Sequence, residues 1–249
     1  MNLVDLTGRR VLVTGASSGI GRACAILAAE LGASVVLTGR RSDALDETWR
    51  RMENRDAHII VPGDIASPEF IKELADSAGK MDGLVHAAGV CPAVPVGMID
   101  SVALLESIKI NYFAFMELMK IYSRQKYANE GFSAVAISSV SSEVGWAGGA
   151  LYSGSKGALS AAVRALALEL APKHKRVNAV CPSNIKTPMF DQLAGDMNDD
   201  AALVALRAKQ PLGLGTPEQV AAPVCFLLSD ASSFMTGVNM PVDGGYLAQ

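Results

Sequence analysis

The stretch Val11-Leu12-Val13-Thr14-Gly15-Ala16-Ser17-Ser18-Gly19-Ile20-Gly21 decides the fold of this chain. Its first three residues are apolar and read as a buried strand. Residues 20–31, rich in Ala, Ile and Leu, read as a helix that Gly32 closes. A second apolar run at residues 33–38 completes a strand–helix–strand unit. Glycines at the first junction permit a sharp turn, bring bare backbone up to a ligand, and let helix pack closely on strand. A phosphate placed there meets helix N–H groups and the positive end of the helix dipole. The spacing G-x-x-x-G-x-G is one residue wider than the dinucleotide fingerprint G-x-G-x-x-G. It sets Gly15, Ser17, Ser18, Gly19 and Ile20 around the expected pyrophosphate.

From this unit outward the alternation continues without resetting. Strand-like runs fall at residues 11–14, 33–38, 57–61, 83–87, 134–138, 176–180 and 238–242, with helical stretches between them. That pattern predicts one Rossmann-type α/β domain over residues 1–249: a doubly wound parallel sheet of about seven strands with helices on both faces. Such sheets bind ligands at the carboxyl ends of their strands. Gly15, Arg40, Asp64, Gly89, Ser139 and Pro182 all follow strand ends, so one rim should collect the site. Residues 182–217 break the alternation and are expected to form a substrate lid, with a polar segment at 195–200.

Composition narrows the function. Half the residues are hydrophobic, 19% are charged and the formal net charge is -3, leaving no basic stripe for nucleic acid. The first ten residues lack the apolar core of a signal peptide, and no apolar run approaches the ~20 residues of a membrane span. Cys24, Cys91, Cys181 and Cys225 are scattered without metal-site spacing, and read as core thiols in a reducing cytoplasm.

Tyr152 and Lys156 stand four apart at the head of an Ala-rich helical stretch, so both leave on one face. A cation roughly 4 Å from a phenol, at an effective dielectric of about 20, favours the phenolate by about 4 kcal/mol. Tyr152 is therefore expected to titrate below the ordinary tyrosine range and to serve acid–base chemistry.

Together these motifs resemble the short-chain dehydrogenase/reductase family along essentially the whole chain. Thr14 to Gly21 matches its T-G-x-x-x-G-x-G, Tyr152 and Lys156 its Y-x-x-x-K, and Pro241-Val242-Asp243-Gly244-Gly245 its C-terminal V-D-G-G. Ser139, thirteen residues before Tyr152, stands where the family has its substrate-orienting serine, and Asn111 where it has a fourth active-site residue. The resemblance implies hydride transfer between a nicotinamide and a carbonyl or secondary alcohol. Tyr152 would give the proton, Lys156 would hold the nicotinamide ribose and lower the Tyr152 pKa, and Asn111 would anchor a water relaying to Lys156.

For the cofactor, the second strand runs into Gly39-Arg40-Arg41 with no acid until Asp43. An acid there would repel a ribose 2′-phosphate, whereas Arg40 can receive one, so NADP(H) is expected. By resemblance Asp64 and Ile65 contact the adenine, Ala88 and Gly89 line the cofactor, and Pro182, Ile185 and Thr187 meet the carboxamide. Two departures stand out. His86-Ala87-Ala88-Gly89 replaces the family's N-N-A-G, with His86 read as a structural replacement, and Ser183 replaces a glycine after Pro182.

The overall pattern looks most like bacterial 3-oxoacyl-acyl-carrier-protein reductases. An acidic carrier protein would want a basic docking patch, for which Lys173, His174, Lys175 and Arg176, or Arg124 and Lys126, are candidates. A solvated face explains these charges as well, and Asn129-Glu130 falls where that subfamily tends to be basic. Val94, Val96, Met98, Met189, Phe190 and Leu193 suit an apolar pocket for an acyl chain or a ring. The alternatives are a dehydrogenase of another ketone or alcohol (sugar, polyol or ring), and a cofactor sensor without chemistry. The family's habit of pairing its long helices predicts a homotetramer. Leu104, Leu105, Ile108, Phe115, Leu118 and Met119 would supply the apolar face, beside small residues of the helix that starts at Tyr152.

Overall fold

A computed structural model describes residues 4–197, 204 and 208–248. In chain order it builds β1 (Arg10–Thr14), α1 (Gly19–Glu30), β2 (Ser34–Gly39), α2 (Ser42–Arg50), β3 (Ile59–Pro62), α3 (Pro68–Ala78) and β4 (Met81–His86). Next come α4 (Ser101–Ile108), a π-turn (Lys109–Phe113), α5 (Ala114–Tyr122), β5 (Ala128–Ile137), α6 (Ala150–Leu170) and β6 (Arg176–Pro182). Helix α7 (Pro188–Met197), α8 (Pro217–Leu228) and β7 (Asn239–Val242) complete it. The seven strands form one sheet in the order β3-β2-β1-β4-β5-β6-β7, every pairing parallel. Strand order reverses between β1 and β4, and a crevice at such a reversal is where open α/β sheets take ligands.

Alternation along the strands builds two apolar layers. Leu12, Leu84, Ala134 and Ala136 join Phe115, Leu118, Tyr122, Leu159 and Val163 under α3, α5 and α6. Val11, Val13, Val35, Val85, Val135 and Val180 turn the other way, with Cys24, Ala28, Val220 and Val224 of α1 and α8. Helix entries follow local chemistry. Ser67 and Asp100 accept from the backbone N–H groups of Phe70 and Ala103, and Thr216 with Gln219 forms a capping box.

Three expected elements differ. Strand β4 stops at His86 because the Ala87 N–H turns to the Thr14 hydroxyl, 3.2 Å away. Strand β5 starts at Ala128, well before residue 134: Asn129 Nδ2 donates to Asp82 Oδ1 at 2.9 Å, so a polar pair spans the irregular start of the β4–β5 ladder. The long helix expected to carry Leu104 through Met119 is interrupted by the π-turn, which carries Asn111 inward. No described helix is long and apolar enough to cross a membrane.

Candidate active site

The glycine turn follows β1. Gly15 has φ +67°, and a Cβ there would lie 2.8 Å from the main chain of Ala87 and Ala88, so only glycine lets the turn press against the end of β4. Thr14 ties the two strand ends together. Its Oγ1 accepts from Ala87 N at 3.2 Å and Ala88 N at 3.1 Å, and lies 3.1 Å from His86 Nδ1. With both lone pairs engaged, the hydroxyl proton goes to Nδ1, which places the histidine's own proton on Nε2. Burial, then the Lys156 charge, drive the His86 pKa down to about 3, with the Ile110 backbone opposing. His86 is therefore a neutral brace. It does the work of strand-tip fixation expected of a structural replacement.

Ser18 is the N-cap of α1, yet its side chain makes no capping bond, unlike Ser67, Asp100 and Thr216 on their helices. The first-turn N–H groups of α1 thus keep their capacity for an anion. Arg41 reaches Ser17 Oγ at 3.3 Å and Ser18 Oγ at 3.1 Å. Arg22 bolts the turn to α2 through Ser17 O (2.6 Å), Thr48 Oγ1 (3.0 Å) and the Glu47 carboxylate (3.2 Å). Arg40 is exposed and lines a cavity of about 380 Å³ with Asp64, Ala66, Val102, Leu105, Glu106, Lys109 and Ile110. Asp64 Oδ1 accepts from Ala66 N at 3.0 Å, while Ile65 is packed into the core and lines a neighbouring hollow of about 280 Å³.

At the far end of the same rim, Tyr152 and Lys156 lie in the first two turns of α6. Lys156 Nζ donates to the Ile137 carbonyl at 2.7 Å and sits 5.7 Å from the Tyr152 ring centroid. Burial lowers the Lys156 pKa to about 8. The expectation that Lys156 lowers the Tyr152 pKa is not met. Burial, with the Cys91 thiol second, pushes Tyr152 up, and the Ser139 hydroxyl is what pulls it back. The ammonium spends its short bond on Ile137, so desolvation of the phenolate wins. Ser139 lies two residues past the end of β5, where its Oγ accepts from Ser141 N at 3.1 Å and caps the turn Val140–Ser142.

Asn111 is fully buried and its amide is heavily engaged. Oδ1 accepts from Val90 N, and Nδ2 donates to Val90 O and Ser155 Oγ, each at 2.9 Å. Ser155 Oγ in turn donates to Tyr152 O at 2.7 Å. Both side-chain N–H groups of Asn111 are committed, so its side chain ties the loop after β4, at Val90, to the second turn of α6, at Ser155, and cannot donate to a relay water. Pro182 ends β6, and the turn after it brings Ile185, buried, and Thr187 back toward the glycines. A Cβ on Gly19 would lie 3.1 Å from Thr187 Cγ2, and Thr187 Oγ1 accepts from Phe190 N at the start of α7. Of the expected polar segment at 195–200, residues 198–200 lie outside the described residues.

Residues 15–247 match a family described as "Enoyl-(Acyl carrier protein) reductase". Over 253 residues the chain is 34% identical to an L-rhamnose 1-dehydrogenase (NAD(P)(+)) of Sphingomonas sp. (strain SKA58), covering 96% of each. It is equally similar, 34% over 250 residues, to a 3-oxoacyl-[acyl-carrier-protein] reductase of Rickettsia felis, covering 98% of this chain and 99% of that one. A crystal structure of a putative short-chain alcohol dehydrogenase from Sinorhizobium meliloti 1021 superposes with TM-score 0.90 at 32% identity, covering 99% of both. The chain is a short-chain dehydrogenase/reductase.

This short-chain dehydrogenase/reductase is accordingly an oxidoreductase of alcohols and ketones that binds a nicotinamide dinucleotide. The residues present fit that group. The glycine turn presents uncapped N–H groups, the cavity beside Asp64 suits the adenine end, and Tyr152, Lys156, Ser139 and the 182–187 turn border the other end. No cluster of His, Cys, Asp or Glu able to hold a metal occurs among the described residues.

Two expectations about its surface hold only in part, through exposed Lys173 and His174 in one and exposed Leu104 and Leu105 in the other. Lys175 is 3% exposed and donates to Tyr122 O at 2.7 Å, and Arg176 is bonded to Ser232 Oγ and Ser229 O. Both stand at the start of β6, at the opposite rim from Pro182, and Arg124 and Lys126 likewise precede β5. Lys175, Arg176, Arg124 and Lys126 therefore form no patch at the site mouth. Phe115, Leu118 and Met119, expected on an apolar face, are core; the exposed apolar residues of that region are Val102, Leu104, Leu105 and Phe113. Sequence reasoning missed Ser155 as a brace of the site, because a lone Ser carries no periodic signal, and read Thr14 as a motif letter without its hold on Ala87 and Ala88.

Proposed function

We propose that this protein is an NADP(H)-dependent reductase or dehydrogenase of a small, free ketone or secondary alcohol, such as a sugar, polyol or ring. The observation that carries the cofactor choice is the corner after β2. Gly39, Arg40 and Arg41 stand there without an acid before Asp43, and Arg40 lines the cavity beside Asp64. The dinucleotide, when bound, supplies or accepts the hydride. The rest falls to this chain. Tyr152, neutral through burial, gives its phenolic proton to the substrate oxygen in the reducing direction. Ser139 donates a hydrogen bond to that oxygen and stabilises its developing charge. Lys156, cationic below about pH 8, holds the nicotinamide ribose hydroxyls. Asn111 sets the position of Tyr152 through Ser155. Ala88 and Gly89 line the dinucleotide, Ile65 flanks the adenine from the core side, and Pro182, Ile185 and Thr187 hold the carboxamide.

A carrier-bound 3-oxoacyl substrate is the second reading. Likeness to the Rickettsia reductase favours it, and exposed Val96 and Met98 suit an acyl chain. Against it, the sugar dehydrogenase is as similar, and the basic residues sit at the wrong rim for a carrier serving this chain's own site. The retained Ser139, Tyr152 and Lys156 argue against a pure sensor. The free thiols suit work in the cytoplasm. NADPH oxidation measured across β-keto thioesters, free ketones and ketoses separates the readings. Turnover of free ketones or ketoses above thioesters is expected, and the reverse order overturns the free-substrate reading.

A further inference from the structure

Gln210 is 3% exposed although Lys209, Pro211 and Leu212 around it are exposed. Its side-chain amide pairs edge to edge with the main chain of Asn184. Oε1 accepts from Asn184 N at 3.2 Å, and Nε2 donates to Asn184 O at 3.2 Å and to Gly213 O at 3.2 Å. A single side chain thus completes a short ladder that continues as Lys186 N to Gly215 O (2.9 Å) and Gly215 N to Asn184 O (3.2 Å). One residue earlier, Ser183 Oγ donates to Asp243 O at 2.8 Å. The turn from Pro182 to Thr187 is therefore held by two side-chain grips, Gln210 on the main chain of Asn184 and Ser183 on the main chain of Asp243. Its last residue, Thr187, abuts Gly19 of the phosphate turn.

We infer that Gln210 is a positioning residue for the nicotinamide end of the dinucleotide. By fixing the main chain of Asn184 it holds Ile185 and Thr187 at the distance from the glycine turn that the whole cofactor requires. The inference rests on the cofactor reading above. It makes a specific demand: loss of Gln210 must weaken the whole dinucleotide and spare its adenosine half, which is held by β2, Asp64 and the cavity 380 Å³ in volume.

The test is calorimetric binding of NADP⁺ and of adenosine 2′,5′-bisphosphate to wild type and Gln210→Met, which keeps chain length without the amide. NADP⁺ should bind about 10-fold more weakly, as expected for lost hydrogen bonds that fix a binding loop, with the bisphosphate changed by less than about two-fold. Equal weakening of both, or of neither, overturns the assignment. Should Gln210→Met fail to fold, Gln210→Glu carries the same comparison. Its carboxyl, when protonated, offers the acceptor and one of the two donors of the amide, so NADP⁺ affinity relative to wild type should recover in part at acid pH, and no recovery overturns the inference. If wild type prefers NAD⁺, the NADP reading fails alone, and NAD⁺ against AMP runs the Gln210 comparison.

Discussion

Replacing Lys156 by Met should remove a pH dependence of stability that the wild-type site builds in. Lys156 is 4% exposed, and burial lowers its pKa from 10.5 to about 8. Below pH 8 folded and unfolded chains both carry the proton, and the folded state bears the whole cost of burying the charge. Between about 8 and 10.5 the unfolded chain still holds a proton that the folded chain has released, so unfolding free energy rises with pH across that window. The full difference is on the order of 3 kcal/mol, of which about 2 kcal/mol appears between pH 7 and 9.5. Met has nothing to titrate. At neutral pH its relief of the buried charge is offset by the bare Ile137 carbonyl, about 1–3 kcal/mol, so the slope and not the intercept is diagnostic. Thermal melts of both proteins without cofactor, at about pH 7 and 9.5, cancel the other titrating groups. For a chain of this size about 2 kcal/mol corresponds to roughly 4–8 °C, so the wild-type melting temperature should gain that much on the variant as pH rises. Parallel curves for the two proteins would falsify the reasoning.

Tyr152→Phe removes the phenolic donor while keeping the ring, and turnover should fall at least ~100-fold with cofactor affinity nearly unchanged; a variant keeping a tenth of wild-type activity sinks the acid assignment. Arg40→Ala should weaken NADPH by about 10- to 150-fold and NADH little, because only NADPH offers a 2′-phosphate to a charge-assisted bond; equal losses would leave Arg40 a loop residue. Exposed Leu104, Phe113, Leu168 and Phe234 leave apolar surface for a homotetramer, so light scattering should report about four times the 26.0 kDa chain. A fully active monomer refutes it.

What was legible in the sequence had a period or a fixed spacing. Seven strands and their alternation with helices were readable because each strand is an apolar run bounded by turn residues. The glycine turn and the Tyr152/Lys156 pair were readable because both fix side chains through spacing along one element. The π-turn at Lys109–Phe113 was not, since one extra residue per turn leaves the apolar pattern of residues 101–122 nearly unchanged. The early start of β5 was hidden for the opposite reason: Asn129 and Glu130 look like loop until Asp82 is placed beside them. Charge was the least legible property. Lys175 and Arg176 read as a surface cluster, yet their heads turn to carbonyls and hydroxyls, because a cation at a strand start can satisfy backbone acceptors as readily as it meets solvent.

The two departures from the family motif make the same point from the other side. Where the family has an asparagine, His86 uses Nδ1 as an acceptor, which frees the Thr14 oxygen to take both N–H groups of the next two residues. Where it has a glycine, Ser183 adds a hydroxyl that reaches the carbonyl of Asp243 in the C-terminal signature. Each substitution changes the donor or acceptor, and each leaves a backbone held where the glycine turn and Thr187 need it. A motif letter names one chemical means of holding a strand tip, whereas the site depends on the tip being held. Sequence departures beside conserved geometry should therefore be read by asking which hydrogen bond the new side chain can make. In this chain the answer runs through Thr14 for His86 and through Asp243 for Ser183.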